Sequence, residues 1–202
     1  MPPFRIFVLS PAHCGGKRAE LLLSHRAVFP LATRLRSAAG ATLGEAFSFL
    51  SGLYFRGKLT YANRYARPPV DKVGVQVITT NRGLLDAGTS IAAHDLRTFG
   101  TVDINVGQAE YRIPLARDAM LLRDLDQVDV VLLGSVATGK YVDVLLEVLG
   151  ERLLFPVDFV GRGDMSRGAL LLQAVRNNVE LTYEPVAGAI RQGRRARRVS
   201  VP

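Results

Sequence analysis

The chain has 202 residues, of which 48% are apolar and 22% are charged, and it contains one cysteine. This composition is typical of a soluble globular protein with one domain or at most two, and a single cysteine excludes an intramolecular disulfide framework. No apolar run reaches the ~18 residues that a membrane helix needs, and the first residues become polar too soon for a secretory signal. We therefore expect a cytoplasmic protein without a membrane partner.

The net charge of +8 is distributed unevenly along the chain. Residues 1–100 carry 13 basic and 5 acidic side chains, residues 101–190 carry 8 basic and 13 acidic ones, and residues 191–202 add five arginines. This asymmetry favours an anionic partner such as nucleic acid. A GC-rich genome, which encodes many arginines, is the alternative explanation. We expect a single domain over 1–190 and a disordered basic tail over 191–202.

The first half of the chain begins with a β-rich apolar run, Phe4 to Leu9, which predicts a strand. A glycine turn follows it, and the apolar spacing becomes helical from Lys17. Residues 29–56 continue with helical spacing, interrupted by glycines. Residues 73–79 alternate as a strand does.

The second half repeats this alternation of strands and helices. The patterns predict strands over 128–133, 152–159 and 179–186, and helices over 141–149 and 166–175. The fold class is therefore α/β, with a mainly parallel or mixed sheet flanked by helices.

The segment from Gly134 to Tyr141 follows a strand and opens a helix, as a P-loop does. Its spacing fits G-x-x-x-x-G-K, but Tyr141 stands where a P-loop has the Ser or Thr that holds magnesium. We therefore expect no ATPase or GTPase site. Free N–H groups at Gly139 and Lys140 could still bind a phosphate, and an ordinary glycine turn is the alternative.

The first strand-to-helix turn contains a second candidate anion site, formed by Gly15 and Gly16 with Lys17 and Arg18. In this turn Cys14 would have a lowered thiol pKa and could act as a nucleophile or redox sensor, although lone cysteines are usually small buried hydrophobes. The spacing of histidines and cysteine matches no metal site. We expect no metal and no cofactor.

Residues 35–46 have part of the spacing of a helix–hairpin–helix, a motif whose backbone N–H groups contact DNA phosphates. Basic side chains are dense around it, and aromatic rings that could stack on bases lie among them, although the core is an equally good place for these rings. The candidate nucleic-acid contacts in this region are Lys17, Arg18, Arg34, Arg36, Tyr54, Arg56, Lys58, Arg64 and Arg67.

Several segments, in order, resemble the YaaA family of bacterial peroxide-stress proteins. They are Leu9 to Ala12, Gly52 to Leu59, Ile78 to Leu85, Leu133 to Ser135 and Ser166 to Leu170. The sequence departs from the family's pattern at His13, where the family has lysine, and at Arg82, where it has tyrosine.

The resemblance implies an α/β fold with a basic cleft, binding of DNA including imperfect duplexes, and a role in limiting oxidative DNA damage. By this resemblance, the residues expected in the cleft are Ser10, Tyr54, Arg56, Ser135, Tyr141 and Arg167. Arg167 joins the candidate nucleic-acid contacts on this basis alone.

Two functions follow as hypotheses. The leading one is a DNA-binding protein that is largely independent of sequence, which requires Lys17, Arg56, Arg67 and Arg167 to share one concave face. The rival is an enzyme acting on a nucleoside, a nucleotide or a nucleic-acid base, such as an N-glycosidic hydrolase or transferase. Its weak catalytic candidates are Ser10, Ser135 and Tyr141, with two glycine turns holding sugar and phosphate. A protein-binding module is the third option.

Overall fold

The chain begins with one strand and then forms helices before it returns to the sheet. The computed structural model describes residues 3–190, so the predicted basic tail lies outside the described residues. The elements of the first part are β1 (Phe4–Leu9), α1 (Lys17–Leu23), α2 (Pro30–Arg36), β2 (Ala41–Thr42), α3 (Leu43–Ser51) and α4 (Leu53–Tyr65).

The remaining elements alternate strands with longer helices. They are β3 (Val75–Ile78), β4 (Leu84–Asp86), β5 (Ser90–Ile91), α5 (Ala93–Phe99), α6 (Ala109–Arg123), β6 (Val128–Leu133), α7 (Gly139–Leu149), β7 (Leu153–Pro156), α8 (Asp164–Arg176) and β8 (Tyr183–Pro185). Short 3₁₀ turns occupy Gly150–Arg152 and Val157–Phe159. No helix between residues 3 and 190 has both the length and the apolar character needed to cross a membrane.

The predicted α/β class is confirmed, with one mixed sheet of six strands in the order β4-β3-β1-β6-β7-β8. The four inner strands are parallel, and Leu9 of β1 pairs with Val77 on one side and Leu133 on the other. The edge strands β4 and β8 are antiparallel to their neighbours. Strands β2 and β5 form a separate small pair.

Helices cover both faces of β1. Phe7 and Leu9 belong to a core formed with helices α1 to α5 and α8, whereas Ile6 and Val8 face a second core formed with α6 and α7. A strand buried on both faces has a continuous apolar sequence, which is why the run from Phe4 to Leu9 does not alternate. The sheet thus separates two cores, and its strand ends open between them.

Three predicted segments are shorter or more divided than expected. Residues 29–56 form three helices because the chain turns at Gly40 and Gly52, whose φ values of 68° and 64° favour glycine. The predicted strand over 152–159 is β7 followed by a 3₁₀ turn, and the one over 179–186 is only β8. In each case the apolar pattern continues beyond the regular hydrogen bonding because loops also bury apolar side chains.

Candidate active site

Polar side chains meet where β1 and β6 end. Ser10 follows β1 directly, and Ser135 follows β6 after Gly134. The helices after β1 pack on one face of the sheet, whereas α7, which follows β6, packs on the other. Adjacent parallel strands whose connections leave toward opposite faces open a crevice at their carboxyl ends, where α/β proteins bind ligands.

A buried lysine lies beneath this crevice. Lys58 of α4 is 1% exposed, and its Nζ donates hydrogen bonds to the Ser10 carbonyl at 2.6 Å and to the Ser10 hydroxyl at 2.8 Å. The Nζ also lies 4.5 Å from the centre of the Tyr54 ring. Burial lowers the pKa of Lys58 to about 7 because a charged ammonium loses its water there. The lysine therefore fixes Ser10 and changes charge near neutral pH.

Helix α8 brings a second buried cation to the same place. The Arg167 guanidinium donates to the carbonyl of Phe159 through Nε at 3.2 Å and Nη2 at 3.1 Å. Its ion pair with Asp164, across 3.4 Å, is weak because the Asp164 side chain is 68% exposed. Arg167 is thus held by a carbonyl, while its charge is only partly balanced.

Two glycines allow α4 and α8 to approach closely enough to place these cations together. A Cβ on Gly57 would lie 2.7 Å from the Gly168 carbonyl oxygen, and one on Gly168 would lie 2.9 Å from the Tyr54 Cα. These contacts are with backbone, so no side-chain rotation would relieve them. The helix pair is therefore the scaffold on which Tyr54, Lys58 and Arg167 are positioned.

Tyr141 of α7 closes the other side of the crevice. Its hydroxyl accepts a hydrogen bond from the Ser135 backbone N–H at 2.7 Å. Gly134 makes room for it, because a Cβ there would lie 2.8 Å from that hydroxyl and 2.9 Å from the Ser10 Cβ. Burial raises the pKa of Tyr141, against the lowering effect of the Ser10 hydroxyl and the Ser135 N–H. Tyr141 is therefore a neutral donor at physiological pH.

The Tyr54 hydroxyl is the one polar group of this cluster that lacks a hydrogen bond of good geometry among the described residues. Tyr54 is 6% exposed. Arg167 is close enough to act on the pKa of Tyr54, but burial outweighs it and raises that pKa well above its usual range. Native structures rarely leave a buried hydroxyl without a good hydrogen bond, and the nearby Arg167 does not provide one here.

These residues line a cleft of about 520 Å³, which we call the central cleft; its walls include Ser10, Tyr54, Ser135, Tyr141 and Asp164. A neighbouring cavity of about 580 Å³, here the side chamber, is lined by residues 12–15, 99–100 and 102–106 together with Thr80, Gly139, Lys140 and Asp143. The two share Ala12, His13, Ile104 and Lys140. Each has the size of a small-molecule site.

The weak catalytic candidates of the sequence, Ser10, Ser135 and Tyr141, do come together in the central cleft. Tyr54 also lines it, whereas Lys58 and Arg167 are buried behind its wall and are not exposed contacts to a polyanion. The rings of Tyr54, Phe55, Tyr61 and Tyr65 are all buried, which favours the alternative of packing in the core over stacking on bases. They belong to the core instead.

The other basic candidates are dispersed among residues 17–67. Lys17 and Arg18 begin α1, and Arg18 donates to the Phe49 carbonyl. Arg34 pairs with Glu45, and Arg36 donates to the Ser24 and Ala27 carbonyls.

The remaining cations lie further from the central cleft. Arg56 lines a different groove beside α3. Arg64 donates to Asn178, and Arg67 pairs with Glu180 beside Arg5, at the amino end of β1. Within the described residues, Lys17, Arg56, Arg67 and Arg167 therefore do not share one concave face.

The expected helix–hairpin–helix is wrong. Residues 37–42 form a turn and the short strand β2, and Thr42 caps α3 in a capping box with Glu45. The first amides of α3 already have acceptors, because Leu43 N–H donates to the Thr89 carbonyl and Gly44 N–H to the Ala87 carbonyl. The amides at the start of α3, which this motif would turn toward a DNA phosphate, are therefore occupied.

The two glycine turns are also weaker anion sites than the sequence indicated. Gly15 and Gly16 precede α1, which has only seven residues. At Gly139 and Lys140 the Asp143 carboxylate lies over the first turn of α7, where an added Cβ would meet its oxygens. An acidic group in this position already interacts favourably with the helix N-terminus and opposes a second anion.

Cys14 does not have the lowered pKa that its turn suggested. Its thiol is buried and donates to the Ala12 carbonyl. Burial raises the pKa of Cys14 to about 12, since the thiolate would lose its hydration. Cys14 therefore behaves as a small buried hydrophobic residue, and the lowered pKa on which its role as a nucleophile depends is wrong.

Asp164 is a site residue that the sequence analysis missed. It stands three residues before Arg167, a spacing that places both on one side of the first turn of α8. That spacing is visible in the sequence, but acid and base pairs of this kind are common on exposed helices. Among residues 3–190, no group of three or more His, Cys, Asp or Glu side chains could hold a metal ion.

Comparison with known proteins adds no relative. The chain matches no protein-family model, no curated protein sequence and no solved structure. The resemblance to the YaaA family therefore stays a prediction, and the function has to be derived from the geometry of the central cleft.

Proposed function

We propose that the protein is an enzyme whose active site is the central cleft, and that the cleft binds the phosphate group of a small nucleotide-like substrate. The observation that carries this proposal is Tyr54, a residue of the cleft wall whose hydroxyl is buried just behind that wall, protonated and without a hydrogen bond of good geometry. Leaving such a donor unpaired costs about 1–3 kcal/mol, which an acceptor on a ligand would recover.

The charges around the cleft favour an anion. Lys58 and Arg167 are buried beneath it, whereas the carboxylate that balances them, Asp164, is largely in water. An anion seated between Tyr54 and Tyr141 would complete the neutralisation of these cations in a region where water screens little. A phosphate ester supplies both the charge and the acceptor oxygens that the two hydroxyls need.

Cleavage of an N-glycosidic bond is the reaction that suits these groups. The C1′–N bond breaks with its electron pair going to the base, the oxygen of water bonds to C1′, and a proton from that water ends on the base. Asp164 would stabilise the positive charge that develops on the sugar, as carboxylates do in glycoside hydrolysis. The Tyr54 and Tyr141 hydroxyls would hold the phosphate.

This proposal replaces DNA binding as the better-supported function because the described cations lie on separate surfaces. DNA binding stays a prediction that a salt titration tests. A protein that neutralises several phosphates loses affinity steeply, roughly a thousandfold or more for six contacts, between 50 and 200 mM salt. A single phosphate in the central cleft would instead show a shallow salt dependence.

The sharpest test compares two tyrosines of the same helix. Tyr54→Phe should weaken binding of ribose 5-phosphate about tenfold and leave the free energy of unfolding nearly unchanged, because the lost hydroxyl makes no hydrogen bond of good geometry within the chain. Tyr61, two turns along α4, bonds to the Tyr183 hydroxyl and the Leu181 N–H. Tyr61→Phe should therefore lower the unfolding free energy by about 1–2 kcal/mol and leave binding intact.

Turnover is tested by following the release of free base from nucleosides and 5′-nucleotides. Asp164→Asn should abolish release while retaining binding of ribose 5-phosphate, and Asp126→Asn, an exposed aspartate before β6, should change neither. Absence of both binding and turnover in the wild-type chain would overturn the proposal. Turnover that persists in Asp164→Asn would remove the role given to that carboxylate.

A further inference from the structure

The side chamber differs from the central cleft in polarity although the two are continuous. The central cleft has Lys58 and Arg167 beneath its floor, whereas the side chamber presents the carboxylates of Asp103 and Asp143. A ligand that spans both therefore meets positive charge at one end and hydrogen-bond acceptors at the other. Lys140 and His13 lie at the junction.

The wall of the side chamber offers an apolar surface beside these acceptors. Phe99 of α5 and the half-buried Val102 and Ile104 lie on it. Val102 and Ile104 belong to the connection between α5 and α6, in which the exposed Asp103 and Asn105 stand next to them and also line the chamber. A flat ring could lie against the apolar side chains while its edge faced the polar ones.

The connection is held in place by its own hydrogen bonds. The Asn105 side-chain oxygen accepts from the Gly107 N–H at 2.9 Å, and the Asn105 backbone N–H donates to the Asp103 carbonyl at 2.9 Å. The Asn105 amide nitrogen therefore stays a donor, while the Asp103 carboxylate is an acceptor. This pair complements a ring edge that has both an acceptor and an amino group.

We propose that the side chamber binds the base of a nucleotide whose phosphate occupies the central cleft, and that it selects bases with an exocyclic amino group. The proposal rests on the function proposed above and names its substrate class. The amino group donates to the Asp103 carboxylate, and a ring nitrogen accepts from Asn105. A base with a carbonyl at the same position turns an oxygen toward that carboxylate and is repelled.

The test measures binding to the full chain by calorimetry, with AMP, IMP and ribose 5-phosphate as probes. Wild-type protein should bind AMP about tenfold or more tightly than IMP, because one charge-assisted hydrogen bond is replaced by a repulsion. Asp103→Asn should remove this preference and leave the affinity for ribose 5-phosphate unchanged. The control Asp126→Asn, at the amino end of β6 and so at the other end of the strands, should retain the preference for AMP.

The outcomes separate this inference from the function on which it rests. If ribose 5-phosphate binds as tightly as AMP, or if Asp103→Asn keeps the preference for AMP, the assignment of the side chamber is wrong while the phosphate site stands. If none of the three probes binds, both proposals are overturned. CMP and UMP provide a second pair, in which CMP should bind more tightly for the same reason.

Discussion

Each end of the parallel strands buries an arginine, but the two arginines have different surroundings. At the amino end Arg5 reaches the carboxylates of Asp129 and Glu180, and Glu180 is shared with Arg67. At the carboxyl end Arg167 bonds to a carbonyl and pairs only with the exposed Asp164, while the cationic Lys58 lies nearby. The amino-end charges are balanced within the chain, and the carboxyl-end charges are not.

This difference in charge balance shows how a cluster of ion pairs that only stabilises the fold can be distinguished from a ligand-binding site. A buried charge is tolerated when opposite charges offset it, and at the amino end Asp129 and Glu180 offset Arg5 and Arg67, although the Arg5 Nε has no hydrogen-bond partner among the described residues. The carboxyl end leaves a buried hydroxyl without a good hydrogen bond and positive charge only partly neutralised. A ligand would supply what is missing, and perturbed groups in a cleft are where function is usually found.

The largest expected effect comes from removing each arginine in turn. Arg5→Met should lower the free energy of unfolding by about 3 kcal/mol, because Asp129 loses its ion-pair partner and Glu180 keeps only Arg67. Arg167→Met should lower it by only about 1–2 kcal/mol, because Asp164 is already in water. Urea unfolding measures both. Equal losses would mean that the two ends are alike and that Arg167 is simply structural.

The next effect concerns the glycine contact that positions the cations of the central cleft. Gly168→Val should lower the unfolding free energy by about 1–3 kcal/mol and weaken binding of ribose 5-phosphate, since the added atoms push α8 away from α4. Gly163→Ala is the matched control at the start of the same helix, where a Cβ meets nothing within 4 Å. If Gly168→Val reduced stability and left binding unchanged, the helix contact would not position the site.

A smaller effect distinguishes the two ends by pH. Between pH 7 and 10.5 the unfolded chain keeps the proton on Lys58 whereas the folded chain has lost it, so stability rises with pH across this window. The wild type should gain about 1.4 kcal/mol per pH unit relative to Lys58→Met. Below pH 7 the difference should be constant. A flat difference between pH 7 and 10.5 would show that Lys58 is not desolvated.

The loss of the proton from Lys58 should also change the affinity for the ligand. An anion in the central cleft favours the protonated lysine, so wild-type affinity for ribose 5-phosphate should fall as pH rises above about 7. Lys58→Met should bind more weakly at pH 6 and lack this fall. A wild-type affinity independent of pH would place the phosphate away from Lys58.

The smallest expected effect concerns the start of α3, which lies in neither the amino-end cluster nor the central cleft. Thr42→Ala removes the cap of α3 and should lower the unfolding free energy by about 1 kcal/mol. DNA affinity measured by fluorescence anisotropy should stay the same as that of the wild type, because the first amides of α3 already have acceptors within the chain. A specific loss of DNA binding in Thr42→Ala would instead indicate that the start of α3 contacts DNA.

The sequence was informative where a signal is local and periodic. The apolar runs at β1 and β6 and the glycine turns after them are visible as strands and turns, and so the α/β class follows. Ser10 and Ser135 could be singled out because each stands beside such a strand end, whereas Tyr141, in α7, is singled out through the resemblance to the YaaA family. The clustering of arginines could not be interpreted in the same way, because residues close in sequence, such as Arg56 and Lys58, point to different surroundings on one helix.

What the sequence alone determined is the class of fold and the place of the strand ends, because burial on both faces of a strand leaves a continuous apolar pattern. The tertiary structure alone decided which polar residues meet there. Lys58 lies 48 residues after Ser10, and Arg167 lies on a helix that only the glycine contact of α4 and α8 brings near. Desolvation, which shifts the pKa of Lys58 downward and that of Cys14 upward, depends on neighbours distant in the chain and has no local sequence signal.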